Sequence, residues 1–232
     1  MKNILIGGCS FSQSYKIRGG GNHPWVPYTD LLEINHPQTT FKNTARESAG
    51  NAEIAENIVH NTIKDNYDFV IVQWSAIGRG YALNESEWIE RLIETDSLDR
   101  LHRISEYVDN GLDYGRTSNS HFENMVSFSH YKSALLNIKM TQTFLESKNI
   151  PYIFFWGWGQ LNDKIYKQHS KLIDSIYEAN WWYPSQKFKG MQQYILSEMG
   201  EDEGLAGDGL HPSTKGHELF YNNIIKEIIW KE

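Results

Sequence analysis

Hydrophobic positions along the chain alternate between two regimes. Short continuous apolar runs, Ile4 to Ile6, Val70 to Val72 and Tyr152 to Trp156, are bounded by turn residues and read as buried strands. Between them, apolar residues recur at helical spacing. Leu31, Leu32 and Ile34 predict a short helix over 28–34. Ile54, Ile58, Val59 and Ile63 predict a second, with Ser48 or Asn51 placed to cap its start. A weak alternation around Phe41 predicts a strand over 39–45. Further helices are expected over 121–147, 164–179 and 186–199, with a turn at Trp181-Trp182-Tyr183 and an acidic loop over 200–209. A last helix begins at Thr214, its apolar stripe formed by Leu219, Phe220, Ile224, Ile225, Ile228 and Ile229.

Strands separated by helices predict an α/β chain: a three-layer α/β/α sandwich around a mainly parallel sheet. No repeat, low-complexity tract or linker interrupts residues 1–232, so one domain is expected. After the third strand there is more chain than one crossover needs. Asn84 with Glu87 forms a capping-box pattern, and Trp88, Leu92, Leu98, Leu101, Ile104 and Val108 follow it. A helical insertion over about 83–120 is therefore expected, acting as a lid or wall.

Composition narrows the function classes. Hydrophobic residues make up 40% and charged residues 22%, which is a globular balance. The net charge of −7 disfavours a polyanion partner, so nucleic acid is not expected. One cysteine leaves no disulfide framework and no cysteine-rich zinc site. The remaining histidines lack paired metal-ligand spacing, and Glu201-Asp202-Glu203 fits no calcium loop, so neither metal nor cofactor is expected. No basic, then apolar leader precedes the first strand. The longest apolar stretch, 150–158, is far short of the ~20 residues a membrane helix requires. The expectation is a cytoplasmic chain without a membrane span. Aromatic residues are abundant at 13%. Trp156, Trp158, Trp181 and Trp182, in or beside predicted loops, offer flat faces that could stack on a sugar ring, and Trp74 and Trp158 are candidate substrate-binding residues. Arg79 is a candidate to hold a substrate anion.

Candidate chemistry gathers at the two ends of the chain. Gly7-Gly8-Cys9-Ser10-Phe11-Ser12 follows the first strand, at the edge of an α/β sheet where ligands bind. It matches neither the dinucleotide fingerprint nor the phosphate loop, and Ser12 stands where the G-x-S-x-G elbow needs its last glycine. Cys9 reads as a small buried hydrophobe. Ser10 is the candidate nucleophile, and a serine needs a base that is itself oriented by an acid. Asp208-Gly209-Leu210-His211-Pro212 offers both from one loop: Gly209 permits a sharp turn, and Pro212 starts the closing helix.

These blocks resemble those of the SGNH/GDSL hydrolases, a flavodoxin-like family of esterases, lipases, carbohydrate deacetylases and acyltransferases. Gly8-Cys9-Ser10-Phe11-Ser12 is similar to the family's G-D-S-L-S, with Cys9 for Asp and Phe11 for Leu. Asp208-Gly209-Leu210-His211-Pro212, followed by Gly216-His217, is similar to its last block. The resemblance implies Ser10, His211 and Asp208 as a triad, and an oxyanion hole formed by the N–H groups of Ser10 and Gly50. The third block, G-x-N-D, is replaced by Gln73-Trp74-Ser75-Ala76. The side chain that the family uses as third oxyanion donor is thus missing, leaving Ser75, Gln73 or Asn51 as substitutes. The expected function is hydrolysis of a small acyl ester, such as a carbohydrate O-acetyl ester, through an acyl-enzyme. The alternatives are acyl transfer, or a weak or inactive scaffold that binds a glycan or a partner.

Overall fold

The computed structural model describes residues 2–14, 25–47, 49–76, 120–158, 163–177, 180–183 and 189–230. Four strands among them form one sheet: β1 (Asn3–Gly7), β2 (Thr40–Asn43), β3 (Phe69–Trp74) and β4 (Tyr152–Trp156), in the order β2-β1-β3-β4. Every pairing is parallel. Ile4 faces Phe41 on one side and Phe69 on the other, and Val70 faces Tyr152. Because β1, β3 and β4 carry almost only apolar side chains, they are buried on both faces.

The helices are α1 (Tyr28–Asn35), α2 (Asn51–Lys64), α3 (Ser120–Ser147), α4 (Asp163–Tyr177) and α5 (Met191–Gly204). A last one, α6, runs from Thr214–Phe220 through a π-helical turn, Tyr221–Ile225, into Lys226–Ile229. The chain steps from β1 outward to β2, then reverses past β1 to β3 and β4. Right-handed crossovers then place α1 on one face and α2 with α3 on the other. In accord with this, α2 packs on α3 and α3 on α4, while α1 and α5 pack on α6. The reversal between β1 and β3 is the topological switch point, the crevice where open α/β sheets bind ligands. The opening Gly-Cys-Ser turn emerges there.

Four local expectations need correcting. Asn51 does not cap α2: Gly50 is the N-cap without a side-chain bond, and Asn51 is the first helical residue, its amide used elsewhere. Ser48 lies outside the described residues. Helix α5 starts at Met191 and continues to Gly204; Gly200 breaks the regular backbone at φ +73°, after which one more helical turn forms. Part of the expected acidic loop is therefore helical. Trp181 belongs to the sheet edge rather than a free turn. It pairs in parallel with Phe154, whose N–H donates to Asn180 O (2.9 Å) and whose carbonyl accepts from Trp182 N–H (2.8 Å). The expected insertion after β3 lies outside the described residues as far as Ser120, where α3 begins. Among the described residues, no helix is long and apolar enough to cross a membrane.

Candidate active site

Ser10 sits in a tight turn directly after β1, closed by Ser12 N–H donating to Cys9 O at 3.0 Å. Beneath the turn lies the fully buried carboxamide of Gln73, from β3. Its Oε1 accepts from Cys9 N–H (3.1 Å), Cys9 Sγ (3.2 Å) and Ser12 Oγ (3.3 Å), while Nε2 donates to Trp74 O (2.8 Å). A backbone N–H can only donate, so the oxygen must be the atom facing Cys9. The carboxamide fits because two neighbours lack side chains. A Cβ at Gly157 would overlap Gln73 Nε2, and one at Gly8 would lie 3.0 Å from Oε1. Ser12 Oγ is also 2.7 Å from Tyr28 Oη.

The loop before α6 supplies the other half of the site. Gly209 adopts φ +69°, a conformation that side chains disfavour, and this folds Asp208 back over its own backbone. Asp208 Oδ1 accepts from Leu210 N–H (2.9 Å) and His211 N–H (3.0 Å), and Oδ2 lies 2.6 Å from His211 Nδ1. Burial pushes the Asp208 carboxyl up, but those two backbone N–H bonds and the imidazole outweigh it and hold it below the usual carboxylate value. An ionised carboxylate only accepts, so Nδ1 carries the proton and Nε2 of the neutral ring is an acceptor. That Nε2 lies 2.9 Å from Ser10 Oγ. Ser10, Asp208 and His211 are thus joined in one hydrogen-bonded line, with Ser10 4% exposed. Trp25 stacks on His211, with ring centroids 5.1 Å apart and planes 13° from parallel; Phe11 meets the same ring edge-on at 5.4 Å.

On the other side of Ser10, the segment after β2 is fastened to the segment after β1. Thr44 N–H donates to Ile6 O (2.8 Å) and Arg46 N–H to Gly8 O (3.1 Å). This brings Gly50 and the start of α2 to the same sheet edge. Among the described residues, neither the Ser10 nor the Gly50 N–H donates to a protein acceptor. Each of the three candidates for a third donor already makes a bond within the protein. The buried Asn51 amide bridges to the end of β3, Oδ1 accepting from Ser75 N–H (2.9 Å) and Nδ2 donating to Ala76 O (3.2 Å). That bridge takes up the Ser75 N–H as well, and Gln73 lies bonded under the turn that carries Ser10.

The aromatic candidates divide. Trp74 is fully buried and meets Phe154 edge-on at 5.3 Å, so it is a core side chain and presents no face to a ligand. Trp158 packs on Phe11, the residue after Ser10, with centroids 4.0 Å apart. Arg79 lies outside the described residues. The sequence reading missed Trp25, because nothing in the periodicity of its Gly- and Pro-rich surroundings marks it. His217 entered the sequence analysis only as part of the last block, without a role of its own. The ring is fully buried, and its Nδ1 accepts the Tyr28 N–H at 3.3 Å. Burial, reinforced by the nearby His211, pushes its pKa down to about 3 and keeps it neutral. Among the described residues, no group of three or more His, Cys, Asp or Glu side chains is arranged to hold a metal.

No family model matches the chain. One curated relative, a tRNA(Met) cytidine acetate ligase of Listeria welshimeri, is 27% identical over 153 residues, 61% of this chain and 38% of that protein. The chain thus spans well under half of that relative's length. Likeness to solved structures extends over nearly the whole chain. The psychrotrophic esterase EstA of a Pseudoalteromonas species superposes with a TM-score of 0.55 at 12% identity, covering 99% of this chain and 97% of that one. A catalytic mutant of an acetylxylan esterase from Geobacillus stearothermophilus gives 0.54 at 16% identity, covering 99% and 95%. A lipase/acylhydrolase from Enterococcus faecalis gives 0.51 at 14%, covering 98% and 95%. The chain has the fold of these esterases and acylhydrolases, the SGNH/GDSL fold that its first and last sequence blocks resemble.

Proposed function

We propose that the protein is a serine esterase that hydrolyses a small acyl ester, with a carbohydrate O-acetyl ester as the preferred substrate class. The observation that carries this reading is the 2.9 Å approach of His211 Nε2 to Ser10 Oγ, on a ring oriented by Asp208. Ser10 Oγ attacks the ester carbonyl carbon as its proton passes to His211 Nε2. The charge that develops on the carbonyl oxygen is met by the N–H groups of Ser10 and Gly50. His211 then gives its proton to the departing alcohol, leaving an acyl-Ser10 ester. Water attacks that ester, losing a proton to His211, and the carboxylic acid departs as Ser10 Oγ recovers the proton. Asp208 stays ionised throughout and stabilises the imidazolium. The esterase and acetylxylan esterase neighbours support the reaction class and the substrate preference.

The test is hydrolysis of p-nitrophenyl acetate, and of acetylated xylo-oligosaccharides, by wild type and Ser10→Ala. Wild type is expected to release acetate and the variant to lose that activity. Equal rates would remove Ser10 from the mechanism. A fluorophosphonate should label wild type at Ser10 and leave Ser10→Ala unlabelled. A wild type that neither labels nor hydrolyses would leave a binding scaffold as the reading.

A further inference from the structure

We propose that Trp25 is a positioning residue for the base: its indole face fixes the His211 ring in line with Ser10 and Asp208 and stabilises the ring's protonated form. The proposal rests on reading His211 as the base of the proposed reaction. Its geometric ground is the near-parallel stack, 5.1 Å between centroids at 13°, with Phe11 closing a second side edge-on. Trp25 is 9% exposed and belongs to no helix or strand, so something must hold it there. The anchors lie on α6, the helix that also follows His211. Val26 N–H donates to Thr214 Oγ1 at 3.0 Å, and Tyr28 N–H to His217 Nδ1 at 3.3 Å. Stack and base are therefore fixed to one rigid element.

A ring held at both nitrogens by Asp208 and Ser10 can still tilt about that axis. A flat neighbour opposes the tilt because parallel contact is lost as the ring turns. The indole face is also negative, so it favours the imidazolium that forms when Ser10 is deprotonated. Among the described residues, the titratable and polar groups that act on the ring include Asp208 at Nδ1, the Ser10 hydroxyl at Nε2 with Cys9 behind it, and His217 on α6. Of these, His217 is neutral, and Asp208 favours the charged ring together with the indole.

The test follows the His211 resonances by NMR from pH 4 to 9 in wild type, Trp25→Phe and Trp25→Leu, assigned with His211→Gln. Loss of a cation–π contact should lower the His211 midpoint by about 0.5 pH unit in Trp25→Leu and by less in Trp25→Phe. The acid limb of kcat/KM on p-nitrophenyl acetate should move by the same amount. The plateau should fall about threefold, in kcat rather than KM. Tryptophan emission of wild type should change with the same midpoint, a change absent from Trp25→Phe. An unchanged or raised His211 midpoint in the variants overturns the proposal. If Trp25→Leu does not fold, Trp25→Phe decides alone. The NMR and emission readouts need no turnover, so a protein inactive on every ester would sink the esterase reading while the stack remained open to measurement by its own midpoint.

Discussion

The side-chain oxygen of Gln73, on the third strand, accepts the backbone N–H of Cys9 at 3.1 Å, directly beneath the turn that presents Ser10. A fully buried carboxamide from β3 thus sets the conformation of the β1 turn. Gln73→Leu would leave the Cys9 N–H without its acceptor in the interior. An unsatisfied buried group costs about 1–3 kcal/mol, so urea unfolding should register a loss in that range, together with a fall in kcat. Gly157→Ala should reproduce part of the effect, because the added methyl overlaps Gln73 Nε2. The double variant should be less destabilised than the sum of the two. Full additivity would mean that Gly157 acts independently of Gln73.

Asn51 ties the first turn of α2 to the end of β3 through Ser75 N–H and Ala76 O, and so fixes Gly50 relative to Ser10. Asn51→Ala should cost about 1–2 kcal/mol in stability. It should lower kcat on the order of tenfold while leaving KM nearly unchanged, short of the ~10²–10³ lost with a complete oxyanion donor. A rise in KM at constant kcat would instead make Asn51 a substrate-binding side chain.

The buried His217 stays neutral in the fold to about pH 3, whereas in the unfolded chain it titrates near the ordinary value of 6.5. The unfolded state therefore binds the extra proton between those values. The stability contribution is complete above pH 6.5 and declines as pH falls toward 3, by on the order of 1.4 kcal/mol per pH unit at most. His217→Asn, which keeps an acceptor for the Tyr28 N–H, should flatten that slope by one proton. Parallel urea titrations at pH 4.5 and 7.5 give the comparison, and an unaltered slope would place the pH sensitivity elsewhere.

Asp208 is held below the usual carboxylate value by the bonds described above. Its folded pKa is depressed, so the stability it provides is present above the unfolded carboxylate pKa near 4 and is lost as pH falls below that. Asp208→Asn should be less stable than wild type at pH 7, and the difference should shrink as pH falls below 4. Its kcat should drop by about 10⁴, because an amide can donate to Nδ1 and so favours the wrong imidazole tautomer. Steady-state kinetics at pH 7 would detect a variant that keeps most of its activity, which would argue against Asp208 as the orienting acid.

Local pattern carried a large part of this protein. The apolar runs at Ile4, Val70 and Tyr152 mark strands buried on both faces, and burial of that kind is written in consecutive residues. The D-x-x-H loop is likewise local: one glycine at positive φ and three residues of spacing suffice to bring Asp208 onto His211. Only the tertiary structure decided what lies across the sheet. Whether Trp74 faces a ligand or the core depends on Phe154, on the neighbouring strand, and a strand end looks the same in either case. The role of Asn51 was hidden because its partners, Ser75 and Ala76, follow another strand, and a side chain's donors are set by distance in space. Trp25 gave no sign at all, since nothing in its own neighbourhood encodes a ring at the opposite end of the chain.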